Sequence, residues 1–201
     1  MGPVTRALIL ANVLVFGLQS FAGDALIAHF ALWPIGRFEM PELGVVVGFQ
    51  PWQLVTSAFL HGNVIHILFN MFGLFMFGRD IEAVLGPRRY LLLYFSAVLT
   101  ASLVQLTVVS FVRPGPPFAT LGASGGVFGI LLAFGMLFPR RTVTLLIPPI
   151  PMPAWVFVTL YGLLELTNGV LRTQSGVAHF AHLGGMLGAF VLLRHWRARH
   201  I

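Results

Sequence analysis

The 201-residue chain is 57% hydrophobic and 9% charged, with a mean hydropathy of +0.89, too apolar to cover the surface of a water-soluble domain of this size. It has no cysteine, which excludes disulfides, a thiolate nucleophile and any Cys-ligated metal site. All twelve basic residues are arginine; with six acids they give a formal charge of +6, which in a membrane chain sets topology and contacts anionic headgroups rather than nucleic acid.

Apolar runs near the roughly 20 residues needed to cross a bilayer recur along the chain. The first spans about 7–22 and reads as a retained span, because no small-residue cleavage site follows a short core. Residues 24–50 mix Asp24, His29, Pro34, Arg37, Glu39, Pro41 and Glu42 with Leu26, Phe30, Trp33 and Phe38, the composition of a loop lying in the membrane interface. The second span is 64–84. Arg79, Asp80, Glu82, Gly86, Pro87, Arg88 and Arg89 form a charged turn before the third, at 90–112. Arg113 to Pro117 is a proline-stiffened break before a short fourth span at 122–138. The fifth, at 153–171, follows Pro148, Pro149 and Pro151, and the sixth covers 177–193.

Six spans predict an all-α polytopic membrane protein with both termini on one side. With the N-terminus inside, nine arginines fall inside (Arg6, Arg79, Arg88, Arg89, Arg140, Arg141, Arg194, Arg197, Arg199). Three fall outside (Arg37, Arg113, Arg172), so the expected topology is N-in, C-in. No internal repeat is evident, which speaks against a transporter built from duplicated halves.

Polar residues inside spans are costly and therefore functional candidates. His66 and Asn70 lie four apart on one face of the second span, Ser124 opens the fourth and His182 lies in the outer half of the sixth. Counted from the arginine-marked inner boundaries, Ser124, His66 and His182 stand at about 22, 20 and 18 Å. Three helices thus bring serine and histidine side chains to one layer. Ser124 alone, among Gly122, Gly125, Gly126 and Gly129, is also what a tight crossing of membrane helices requires. With a histidine at its depth it becomes a candidate nucleophile, His182 its base. The His66 ring N–H, the Asn70 amide and the Ser124 backbone N–H can then face an oxyanion. Glu165 is the one carboxyl at matching depth. It is assigned to a protonated or backbone-bonded state, so a Ser–His dyad is expected. His61 is read as structural, and the tryptophans as interface anchors or loop packing. No metal site is expected, because no histidine pair at ligand spacing shares a face with a carboxylate. No cofactor is expected either.

Three segments resemble one known family, the rhomboid intramembrane serine proteases. Gly122-Ala123-Ser124-Gly125, with Gly129 following, is similar to the family's GxSG box. Ala181-His182-Leu183-Gly184-Gly185 is similar to its AHxxG element, and His61 through His66 to Asn70 to its HxxxxHxxxN segment. Trp52 matches the tryptophan of the first-loop motif, whereas Gln53 stands where the family often has arginine, leaving that loop without a charged anchor. The resemblance covers nearly the whole chain and looks like the minimal six-helix bacterial form. It implies that Ser124 is the nucleophile and His182 the base, that His66 and Asn70 help form the oxyanion site, and that Phe128 packs on the catalytic histidine. It also implies a single-span membrane protein as substrate, cut near small residues, with the site opening to the outer side of a prokaryotic plasma membrane. A rhomboid-like protein that binds membrane clients without cutting them is the alternative.

Overall fold

A computed structural model describes residues 1–41, 44–112, 115–145, 148–171 and 177–198, and most of that length is helical. Helix α1, Pro3–Phe30, begins with proline in its first turn, where the missing N–H costs nothing. Here the expected boundary is corrected. The helix breaks locally at Ala22 (φ −136°, ψ 36°) but continues to Phe30, so the interfacial loop begins at Ala31 rather than near Asp24. Asp24 and His29 make the segment polar without stopping it, and no proline intervenes before Pro34.

Two short elements follow the loop: α2, Gln53–Thr56, and then α3, Val64–Gly73. Asn63 caps α3 by accepting from the His66 backbone N–H at 2.8 Å. A π-helical turn, Leu74–Gly78, leads into α4, Arg79–Thr107. The backbone leaves the helix at Gly86, whose φ of 75° suits glycine, and Pro87 restarts it. The chain folds back there. In a continuous helix Tyr90 would lie about 18 Å from Gly78, yet its hydroxyl is 2.5 Å from where a Cβ on Gly78 would stand. Val64–Val112 therefore contains two of the expected spans. Helix α5, Ser124–Leu137, is the short one; α6 is Ala154–Leu171 and α7 His179–Ala198. Small antiparallel hairpins decorate the loops: β1 (Phe38–Met40) with β2 (Val45–Val47), and β3 (Thr142–Thr144) with β4 (Pro151–Pro153).

Among the described residues, three stretches are long and apolar enough to cross a membrane: Pro3–Phe30, Val64–Val112 and Ala154–Leu171. Helix α5 is apolar but shorter, and α7 carries His179, His182, Arg194, His195 and Arg197. The most extensive packing joins α4, α5 and α7, around Tyr90, Leu93, Tyr94, Ile130, Ala133 and Ala189. Large apolar side chains such as Leu14, Phe21, Phe69 and Leu163 point outward, as lipid contact requires.

One end of the bundle gathers the charges. The buried Glu82 carboxylate accepts from Val4 N (2.8 Å), Thr5 N (2.9 Å) and Thr5 Oγ1 (2.7 Å), filling the open amides of the α1 N-terminus. Asp80 pairs with Arg141 at 2.9 Å, Arg197 donates to the Met136 carbonyl at 3.2 Å, and Arg89 lies over the Trp196 ring. The N-terminus, the Gly86 turn, the end of α5 and the end of α7 thus meet at one level. Arg113, Arg172 and Arg199 lie outside the described residues.

At the opposite end the first loop has its own small core, where Ala28, Trp33 and Val47 pack with Ile27, Phe38, Met40 and Ala119. Gln53 holds it together. Its Oε1 accepts from Trp33 N (3.3 Å) and Gln50 N (3.1 Å), and its Nε2 donates to the His29 (3.3 Å) and Gly48 (3.2 Å) carbonyls. A neutral amide with four partners therefore anchors a loop for which the sequence offered no charged one. Beside it, the Trp52 indole donates to the His29 carbonyl. Replacing Gln53 with Ala strands the buried Trp33 amide and removes the partner of the Gln50 amide and of two carbonyls; we expect faster amide exchange at Trp33 and Gln50, with the helices intact, measured by hydrogen–deuterium exchange.

His61 sits in the turn before α3, and the Gln19 side chain holds its backbone N–H and carbonyl at 2.9 and 3.1 Å. Burial, reinforced by nearby His66, lowers its pKa to about 4 from 6.5. The unfolded chain therefore binds a proton there that the folded chain refuses, so stability is complete above about pH 6.5 and falls as pH drops toward 4. The full loss from this group is about 3 kcal/mol. Thermal unfolding at pH 7.0 and 4.5 should show a smaller difference for His61→Gln than for the wild type.

Candidate active site

The segment leading to Ser124 is clamped before the helix begins. Leu32 and Thr120 exchange both backbone hydrogen bonds at 2.9 Å, tying the first loop to this segment, and Gly122 N donates to the Ser57 carbonyl at 2.9 Å. Gly122 has φ 127°, and a Cβ there would press within 2.7 Å of the His66 ring, so glycine is required on both counts. Ser124 is the first residue of α5, so its backbone N–H is among those with no carbonyl partner inside the helix. A side chain on Gly125 would collide with Ala101, and one on Gly185 with the Gly125 carbonyl. Helices α4, α5 and α7 therefore meet backbone to backbone at the serine.

That approach sets the central geometry. Ser124 Oγ lies 2.8 Å from His182 Nε2. His182 Nδ1 lies 2.8 Å from Glu165 Oε2 on α6, and the same oxygen lies 2.7 Å from His179 Nδ1. All three partners behind the serine are buried. With Glu165 ionised, its oxygen accepts and does not donate, which puts the His182 proton on Nδ1 and leaves Nε2 free to accept from the serine hydroxyl. The Phe128 ring stacks on His182 with centroids 4.2 Å apart and planes 5° from parallel.

Two sequence expectations are corrected here. The Glu165 carboxyl is not turned to backbone: it faces both histidines, so the serine and histidine do not stand as a bare dyad. The expectation that no histidine pair meets a carboxylate also fails, since ligand atoms of Glu165, His179 and His182 all lie within 4.8 Å of one another. This is the group among the described residues able to hold a metal, although separations of 2.7 and 2.8 Å are ordinary hydrogen bonds. A signal existed in the sequence. His179 and His182 are three apart and share a helical face, so a partner that reaches one reaches the other.

The remaining candidates surround the serine. The His66 ring and Ser124 Oγ both lie within 4 Å of the point where a Cβ on Gly122 would stand. Asn70 is buried and donates one amide hydrogen to the His66 carbonyl at 3.0 Å, leaving its second free of that bond. His61 Nε2 accepts from Ala123 N at 3.5 Å, the structural role expected of it. A pocket of about 30 Å³ opens against Ser124, with Ser57, Ser102, Gln105 and Thr120 in its wall, enough for about one water among polar groups. In the sequence, pliant Ser175-Gly176 also marks Thr173 to Val177 as a stretch under which substrate could pass; all of it but Val177 lies outside the described residues.

Residues 48–197 match the family described as the Rhomboid domain. The chain is 33% identical over 135 residues to the mitochondrial Rhomboid protein 1 of Saccharomyces cerevisiae, covering 67% of this chain and 39% of that one. Rhomboid-like protein 16, chloroplastic, of Arabidopsis thaliana is 28% identical over 202 residues, 94% of this chain and 60% of the relative. Rhomboid protease GlpG of Salmonella newport is 30% identical over 130 residues, 65% of this chain and 42% of the relative. The chain thus spans roughly two to three fifths of the length of these relatives, on the coverage just given. The Rhomboid-domain match and the apolar spans support an integral membrane protein, while mitochondrial and chloroplastic relatives beside a bacterial one do not support the expected prokaryotic plasma membrane. A glycine-lined serine facing a buried histidine, on helices that carry the Gly-Ala-Ser-Gly and Ala-His segments, agrees with the sequence match: the chain belongs to the rhomboid family.

Proposed function

We propose that the protein is an intramembrane serine endopeptidase that cuts transmembrane segments of other membrane proteins. The observation that carries this reading is the 2.8 Å contact between Ser124 Oγ and His182 Nε2, with the imidazole stacked on Phe128 and held from behind. In this account His182 takes the serine proton as Oγ adds to the scissile carbonyl carbon, then gives it to the departing amine. Water later attacks the acyl-enzyme with the same imidazole as base, and the small pocket beside Ser124, mostly apolar but with Ser57, Ser102, Gln105 and Thr120 in its wall, has room for such a water. The oxyanion is assigned to the Ser124 backbone N–H, the His66 ring and the free amide hydrogen of Asn70.

The reading also fixes a topology. Six spans run N-in, C-in, with the arginine-rich end at the inner face and Ser124 below an opening on the outer side. Substrate enters beside α6, which buries Glu165 and Val158 while leaving Leu160, Leu163 and Leu164 exposed. A substrate helix must unwind before its peptide bond is reachable, and unwinding in hydrocarbon strands polar groups.

The direct test is labelling of the purified full chain by a fluorophosphonate, which reports an activated serine. Wild-type protein should label, while Ser124→Ala and His182→Ala should fall at least about 100-fold, in line with the loss of a nucleophile or its base. Correctly folded wild type that neither labels nor cuts a helical substrate would point instead to a rhomboid-like protein that binds without cutting.

A further inference from the structure

The buried carboxylate behind His182 has no place in a two-residue mechanism. Glu165 is 7% exposed, and it projects from an apolar helix in which an ionised side chain is expensive unless partnered. One of its oxygens receives the Nδ1 atoms of both His179 and His182. The other nitrogen of His182 faces the serine; the other nitrogen of His179 is buried without a hydrogen-bond partner. A buried nitrogen without a partner is better tolerated as a bare acceptor than as an orphaned N–H. That places the His179 proton on Nδ1, pointing at Glu165, and makes the resting cluster one carboxylate between two neutral imidazoles.

We propose that Glu165 is a positioning residue for the His182 base, and that His179 positions Glu165; the inference rests on the protease reading above. Two effects follow. Glu165 fixes the His182 tautomer, so that the nitrogen facing Ser124 always carries the lone pair. It also supplies a negative charge that is unbalanced at rest and balanced once His182 holds the serine proton. When Oγ bonds to the carbonyl carbon, the carbonyl electron pair moves to its oxygen and the proton moves from Oγ to Nε2. The imidazolium so formed lies 2.8 Å from Glu165 Oε2. An interaction stronger in the transition state than at rest is one that accelerates the reaction. His179, donating from the opposite side, prevents the carboxylate from swinging away.

The rival view is that the cluster only joins α6 to α7. Kinetics of the full chain in proteoliposomes, acting on a transmembrane peptide substrate, separate the two. Glu165→Gln presents an amide that can donate to Nδ1 and reverse the tautomer. Its kcat should fall by about 10² to 10⁴-fold with KM changed by less than about threefold. His179→Asn, which keeps a donor near the position of Nδ1, should lose less activity than His179→Ala. A proton NMR spectrum of the wild type should show two slowly exchanging imidazole N–H resonances far downfield, one of them absent in His182→Ala, and this measurement does not depend on any Glu165 variant folding. A kcat for Glu165→Gln within about threefold of wild type, or no downfield His182 signal, would overturn the inference. If Ser124→Ala is inactive in the same assay, the protease reading survives that failure; if Ser124→Ala still cuts, the protease reading itself fails.

Discussion

The contact on which the structure depends is the backbone approach of α5 to α7 and α4. Gly125 has the Ala101 methyl on one side and the Gly185 backbone on the other, and a single methyl group at either glycine would push the helices apart. A displacement of about 1 Å is enough to remove a hydrogen bond between Ser124 and His182. The small residues that let membrane helices cross closely are therefore also what bring Ser124 to His182. Packing and reactive geometry are not rival explanations of the Gly-Ala-Ser-Gly segment.

The rest of the molecule can be understood as support for that crossing. The first loop is stitched by Gln53 and paired to Thr120, which fixes the approach to Gly122. At the far end, Glu82 closes the open amides of α1, and Asp80 with Arg141 ties the Gly86 turn to the end of α5. Both are polar contacts at helix ends, where backbone groups lack partners. Between them lies an apolar core centred on Tyr90, Leu93, Tyr94 and Ile130. Of the buried polar side chains, Glu165, His179 and His182 partner one another, whereas Gln53, Asn70 and Glu82 bond chiefly to backbone groups.

How much of this was legible depended on whether the information was local. Hydropathy and arginine placement delimited the helices well, because span length and the clustering of charge at one end are properties of consecutive residues. The pairing of Ser124 with His182 was legible because depth can be counted along each helix from its charged end. The end of α1 was misplaced because Asp24 and His29 lower hydropathy without breaking a helix. The contact of Glu165 with both histidines was missed for a different reason. Helix α6 is apolar nearly all round, so its sequence gives no phase to show which face meets α7. Gln53 was likewise opaque: four partners from two backbone stretches, 29–33 and 48–50, converge on it, and only the folded loop brings them together.

A serine hydroxyl, an imidazole and one shared carboxylate are a small polar load for a membrane bundle, and on the proposed reading they carry acyl transfer once a peptide bond reaches them. The central claim is that Ser124 cuts within a membrane-spanning segment. The most direct measurement is cleavage of a single-span protein co-reconstituted in lipid vesicles, with the new termini mapped by mass spectrometry for wild type and Ser124→Ala. The account predicts termini within or at the edge of the apolar segment, faster cutting when Gly or Pro is placed beside the bond, and no products from Ser124→Ala. Products that persist in Ser124→Ala, or termini confined to a water-exposed loop remote from the span, would contradict it.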